Sequence, residues 1–200
     1  MKQVIIVGKG GSGCEIASWL ATQKADFFIK GFIDDIKTDK DVLGTIENYC
    51  PTEGDVFVCT IGSSSARIAV VTELEQRGAQ FINVVHPSAV VLGAIHHLRG
   101  LIIAPFVYIA HNAKLGDFVS VNIAASVGHN AEVGDGCTVS AHCDITGHVK
   151  LGKRVFMGSH ACIIPGKTVG DDAIIGAGSA VMCDVPPNTT VVGVPAKRLM

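Results

Sequence analysis

Hydrophobic positions along the second half of the chain recur every sixth residue. The aliphatic side chains run Ile103, Ile109, Leu115, Val121, Val127, Val133, Val139, Ile145, Leu151, Met157, Ile163, Val169, Ile175 and Val181 without a break. A period of six does not fit the 3.6-residue turn of a helix; it fits a short strand plus a turn, repeated along the sides of a prism. Three such sides close one coil of 18 residues, so the run predicts nearly five coils of parallel β-helix. In such a fold each coil buries its aliphatic residue against the coils above and below. The residue after the aliphatic position is often glycine (Gly116, Gly128, Gly134, Gly152, Gly158, Gly170, Gly176), which suggests a turn with positive φ. The position four after it is small or β-branched, as at Val107, Ala113, Ala125, Ala131 and Cys137. The period weakens before Ile103, where His97 would point inward, so residues 86–102 read as an irregular first coil.

The first half has a different rhythm. Val4–Val7 is an apolar strand, followed by Gly8-Lys9-Gly10-Gly11-Ser12-Gly13 and a helix from Cys14 to about Gln23. Further strands are expected over Phe28–Ile33, Asp55–Ile61 and Phe81–Val85. A second helix, capped by Ser64 or Ser65, should run to about Arg77. Alternating strands and helices imply a small parallel sheet, with ligands bound beyond the carboxyl ends of its strands. Three polar elements meet there: the glycine turn, Asp34-Asp35 and Gly62–Ser65. Gly8-x-Gly10-x-x-Gly13 matches the dinucleotide fingerprint, but the sheet is half the size of a dinucleotide-binding fold. The residues leave open an NAD-type site, another nucleotide-bearing ligand or a plain tight turn. A nucleotide is physically reasonable because small glycines let backbone N–H groups at a helix N-terminus approach phosphates.

Composition narrows the function classes. The 200 residues are 48% hydrophobic and 17% charged, which excludes a disordered chain. A net charge of −2 with no basic run argues against a nucleic-acid partner. No apolar stretch of about 18 residues is present, and Val4–Val7 is too short for a signal-peptide core, so a cytoplasmic location with no membrane partner is expected. Seven cysteines without a C-x-x-C pair point to reduced thiols. Among the eight histidines, His111 and His129 differ by 18 and should stack on successive coils, as should Asn112 and Asn130, and His142 and His160.

The two halves together resemble the bacterial sugar O-acyltransferase family, which includes sialic acid O-acetyltransferases and UDP-4-amino-sugar N-acetyltransferases. The resemblance covers essentially the whole chain. It is carried by VIIVGKGGSG at Val4–Gly13, FIDD at Phe32–Asp35, GSSSAR at Gly62–Arg67, NIAASVGH at Asn122–His129, and the tail VVGVPAKR at Val191–Arg198. It implies a Rossmann-like nucleotide-sugar-binding domain over 1–85 and a left-handed parallel β-helix over 86–200. It also implies a homotrimer, with acetyl-CoA lying between coils of adjacent subunits and no metal.

The family's catalytic histidine falls on His129. Acyl transfer needs a base at the attacking group and an N–H donor for the thioester oxygen. His129, one coil below Gly147, offers both. Asn130 replaces the carboxylate that amino-sugar relatives carry beside this histidine. Thr138 replaces a second histidine near the acetyl group, and Ser12 replaces a histidine in the glycine turn. The resemblance assigns the nucleotide to Gly10, Gly11, Ser12, Asp34, Asp35 and Gly62. It assigns acetyl-CoA to Thr138, Ser140, Thr146, Gly147, Ser159 and Ala177, with Pro195 and Lys197 at its nucleotide end. The expected reaction is direct acetyl transfer to the amine of a nucleotide-linked amino sugar for surface glycan synthesis. O-acetylation of sialic acid or another sugar hydroxyl is the alternative. A zinc site at His111, His129 and His148, and a non-catalytic assembly module, are the remaining readings; the tail and the first domain argue against zinc.

Overall fold

The computed structural model describes residues 2–22 and 27–199. By its internal contacts the chain divides into two compact units, one ending at Val84 and the other beginning at Val85. Among the described residues no helix is long and apolar enough to cross a membrane.

The first unit holds β1 (Lys2–Val7), α1 (Gly11–Thr22), β2 (Phe27–Ile33), β3 (Val42–Gly44), β4 (Asp55–Cys59) and α2 (Ser64–Gln76). The four strands are parallel in the order β3-β2-β1-β4. Val4 to Val7 are completely buried, as expected for the central strand of a sheet covered on both faces. The strand order reverses direction at β1, the position beyond whose carboxyl end open parallel sheets commonly bind ligands, and the glycine turn begins there.

Three local expectations change. The helix after the glycine turn starts at Gly11, three residues early, because Gly10 already accepts the N–H of Cys14; its expected end at Gln23 lies outside the described residues. The cap of α2 is Ser63, whose side chain accepts the N–H of Ala66. The expected strand over Phe81–Val85 reduces to a single bridge between Phe81 and Phe57 and the short strand Val84–Val85. The sheet instead gains β3 at its edge. Val42–Gly44 has only two apolar residues, too few to announce a strand by alternation.

The second unit is a parallel β-helix of three faces. The first face stacks Ile102–Ile103, Ser120–Val121, Thr138–Val139, Phe156–Met157 and Ile174–Ile175. The second stacks Val90–Val91, Tyr108–Ile109, Ser126–Val127, Asp144–Ile145, Cys162–Ile163 and Ala180–Val181. The third stacks Lys114–Leu115, Glu132–Val133, Lys150–Leu151 and Thr168–Val169. Every aliphatic residue of the six-residue ladder is buried, none more than 8% exposed. The small or β-branched position four residues later is buried as well, from Val107 to Ala161. The third face starts one coil late: residues 92–101 form no strand and His97 is exposed. An antiparallel hairpin of Thr190–Val192 with Lys197–Arg198 closes the unit.

The glycines of the repeat serve a different purpose from the one their spacing suggests. Positive φ occurs two residues after them, mostly at non-glycine positions such as Phe118, Asn130, Arg154, His160 and Asp172. The glycines themselves are forced by the coil stacked on them. A methyl group on Gly128 would lie 2.6 Å from the Thr146 carbonyl carbon, and one on Gly158 would lie 2.5 Å from the Ala177 nitrogen.

Candidate active site

His129 projects from the corner where the second face passes into the third. Val127 ends the strand, Gly128 lets the chain pass under the next coil, and Asn130 turns the backbone with φ of 60°. Asparagine tolerates this left-handed conformation better than most residues, so Asn130 has a local reason to be there apart from any chemistry. Its side chain also reaches back to the imidazole: His129 Nδ1 lies 3.2 Å from Asn130 Oδ1. An amide oxygen only accepts, so this contact puts the proton on Nδ1 and leaves the lone pair on Nε2.

Gly147 sits one coil above, in the matching corner. A methyl group there would lie 2.7 Å from both His129 Cε1 and Nε2, so the imidazole occupies the space a side chain would take. The His148 ring meets His129 edge to face, with centroids 5.0 Å apart, and the His148 N–H donates to the His129 carbonyl.

A second corner of the prism shows why the Gly147 N–H is available. Where the third face passes into the first, aspartates stack on the coils. The N–H groups of Arg99, Asp117 and Lys153 donate to the carboxylates of Asp117, Asp135 and Asp171 at 3.1, 3.1 and 2.9 Å. At the His129 corner the residue one coil beyond Gly147 is Pro165, which has no such acceptor. Among the described residues, no acceptor pairs with the Gly147 N–H. A lone pair on Nε2 and an unpaired N–H on one corner can take a proton and hold a developing oxyanion.

The other expected acetyl-CoA residues divide between places in the second unit. Thr146 shares the His129 corner, and its hydroxyl donates to the Ile163 carbonyl at 2.6 Å. Ser140, Ser159 and Ala177 line the corner between the first and second faces, beside the stacked imidazoles of His142 and His160, whose centroids are 4.8 Å apart. Thr138 lies on the first face and is 5% exposed, so it belongs to a strand rather than to either corner. Pro195 and Lys197 are exposed in the closing hairpin. Among the described residues no three histidine, cysteine or acidic side chains converge to hold a metal, and His111, His129 and His148 form no such set.

In the first unit the expected nucleotide residues fall into two groups. Gly10, Gly11 and Gly62 have open space where a side chain would be, and Ser12 is exposed at the start of α1. Gly13 instead packs against the strand: a methyl group there would lie 2.1 Å from the Gly8 carbonyl oxygen. The two aspartates are already engaged. Asp34 Oδ2 accepts the N–H of Lys9 at 2.7 Å, and Oδ1 accepts those of Ile36 and Lys37 at 2.8 Å. Partial burial opposes ionisation of Asp34, but these three N–H donors outweigh it and hold its carboxyl below the usual carboxylate range. Asp35 Oδ1 accepts the N–H of Ile46. Asp34 therefore ties the glycine turn to the end of β2, a structural task its sequence position did not reveal. Lys9, inside the turn, is held by Asp39 and Asp41.

One feature escaped the sequence reading. A cavity of about 910 Å³ lies on the third face, bounded at the His129 corner by Asn130 and His148 and along the strands by Lys114, Glu132 and Lys150. Its signal was present: the residue before the aliphatic position is charged on three successive turns of this face, whereas on the other two faces only Asp144 is.

The chain is similar to known proteins at two levels. Residues 148–183 match the family described as the hexapeptide repeat of succinyl-transferase. A 42-residue segment is 52% identical to the galactoside O-acetyltransferase of Escherichia coli; the match spans about a fifth (21%) of each chain. Over its whole length the chain is similar to the acetyltransferase domain of PglB from Neisseria gonorrhoeae, with TM-score 0.88, 27% identity and 100% of both chains covered. PerB from Caulobacter crescentus, solved with CoA and GDP-perosamine, gives TM-score 0.87 and 27% identity, over 100% of this chain and 98% of that one. WeeI from Acinetobacter baumannii gives TM-score 0.85 and 26% identity over the full length of both. The buried six-residue ladder, the matched repeat and the full-length likeness together make the chain similar to hexapeptide-repeat acyltransferases.

Proposed function

We propose that this protein transfers the acetyl group of acetyl-CoA to the amine of a nucleotide-linked amino sugar, in the synthesis of surface glycans. The observation that carries the reading is the His129 imidazole lying against Gly147, with Nδ1 on Asn130 and Nε2 open. The likeness to PerB, which holds CoA and GDP-perosamine, supports the choice of donor and acceptor class. In this reading the amine attacks the thioester carbonyl while Nε2 of His129 takes its proton. The oxyanion of the tetrahedral intermediate accepts the Gly147 N–H. Collapse breaks the carbon–sulfur bond, and the imidazolium returns the proton to the departing thiolate.

The coils take the left-handed form of the family, and the first unit acts as a Rossmann-like half-domain. Its open positions at Gly10, Gly11, Ser12 and Gly62 receive the nucleotide. Acetyl-CoA runs past Thr146 and Gly147 and along Ser140, Ser159 and Ala177, with Pro195 and Lys197 near its nucleotide end and Thr138 behind. The active form is a cytoplasmic homotrimer. Exposed apolar side chains on the second face and its edge, Val90, Phe106 and Tyr108, support self-association.

Thiol release from acetyl-CoA, measured against UDP-, GDP- and dTDP-linked amino sugars, tests the proposal. Turnover with at least one of them is expected. Turnover with free sialic acid or a simple galactoside alone would overturn it in favour of O-acetylation.

A further inference from the structure

We infer that Lys150 is a specificity-determining residue that holds an anionic group of the acceptor in the third-face cavity. This rests on the acetyl-transfer reading of His129. The cavity of about 910 Å³ is large enough for a sugar with an attached phosphate, and it opens beside Asn130 and His148, which flank His129. Its polar wall carries two ammonium groups, Lys114 and Lys150, the imidazoles of His97, His111 and His148, and a single carboxylate, Glu132. That carboxylate already pairs with Lys114, at 3.3 Å from Nζ to Oε1. Lys150 stands next to Glu132 in the strand register, yet among the described residues no carboxylate lies within ion-pair distance of its ammonium. An exposed ammonium at the wall of a cavity beside the proposed base attracts an anion through direct hydrogen bonds.

The shared chemistry is an oxyanion, either the sugar-proximal phosphate of a nucleotide-linked acceptor, beyond the part of the nucleotide that the glycine turn receives, or a carboxylate on the sugar itself. Histidines provide further hydrogen-bonding groups along the same wall.

The test compares wild type with Lys150→Met and Lys150→Arg. Lys150 is exposed on a regular strand, so both variants should fold. Loss of a charged hydrogen bond should raise KM for the acceptor about ten- to hundredfold. KM for acetyl-CoA should stay within about twofold, and Lys150→Arg should restore most of the loss. Calorimetric titration of free UDP and GDP, and separately of a free sugar acid, identifies the source of the anion: Lys150→Met weakens whichever one wild type binds. Unchanged acceptor KM in Lys150→Met, or equal affinity of wild type and variant for every anion tested, overturns the inference while leaving the acetyl-transfer reading intact. Failure of wild type to release thiol with any acceptor overturns that reading instead, and the calorimetric comparison still decides whether Lys150 holds an anion.

Discussion

At the scale of single residues, two side chains carry the sharpest expectations. His129 is exposed, so His129→Ala should leave folding and assembly unchanged. Loss of a general base should lower kcat about 10²- to 10⁴-fold; a rate near wild type in the thiol-release assay would remove His129 from the mechanism. Asp34 is expected to matter for stability rather than for catalysis. Its removal leaves three backbone N–H groups without their charged acceptor, at a cost of about 1–3 kcal/mol in urea unfolding of Asp34→Ala. The pH dependence follows from the depressed carboxyl. The stabilisation is fully present above the unfolded value, about 3.9, and is lost as pH falls through the lower folded value. The stability difference between wild type and Asp34→Ala should therefore be constant near neutrality and shrink under acid conditions.

At the scale of elements, the two classes of glycine separate by experiment. A methyl group on Gly152 would meet the Asp171 carboxylate at 2.2 Å and its backbone nitrogen at 2.7 Å. Gly152→Ala should therefore lower unfolding stability by about 1–3 kcal/mol through overpacking between coils. Gly10 has nothing within 4 Å of an added methyl group. Gly10→Ala should change stability by less than about 0.5 kcal/mol and reveal its effect only in nucleotide binding. A large loss of stability in Gly10→Ala would mean that the turn is structural and not a ligand cradle. Asp55 is the corresponding anchor of the sheet. Its fully buried carboxylate accepts Lys30 Nζ, Tyr49 Oη and both the N–H and the hydroxyl of Thr52, joining β2 to β4 and the segment between them.

At the scale of the whole molecule, the β-helix is a one-dimensional stack in which each coil contacts only its neighbours. A cavity in one coil is felt by the two adjacent coils. Ile145, completely buried between Val127 below and Ile163 above on the second face, tests this. Ile145→Ala should cost about 2–5 kcal/mol in thermal or urea unfolding. Because the strand it leaves leads directly into Thr146 and Gly147, acetyl transfer should fall as well. Sedimentation of the intact protein should give three times the chain mass; a monomer that retains full activity would contradict the trimeric reading.

The sequence by itself determined the ladder, because a strict six-residue period has one compact solution: aliphatic residues facing a shared interior. It also located His129 and Gly147 on one corner, since positions 18 apart must stack once the coil length is known. Tertiary structure decided what no period encodes. Positive φ falls at Asn130 and its equivalents and not at the repeat glycines, because crowding at those glycines comes from the next coil rather than from the local turn. Asp34 is a buttress, because the N–H groups of Ile36 and Lys37 lie in its own turn but the Lys9 N–H meets it only when β1 and β2 lie side by side. Glu132 pairs with Lys114 while Lys150 stays open beside it, because ion pairing depends on which neighbouring coil a side chain reaches, and that distance exists only after the coils are wound.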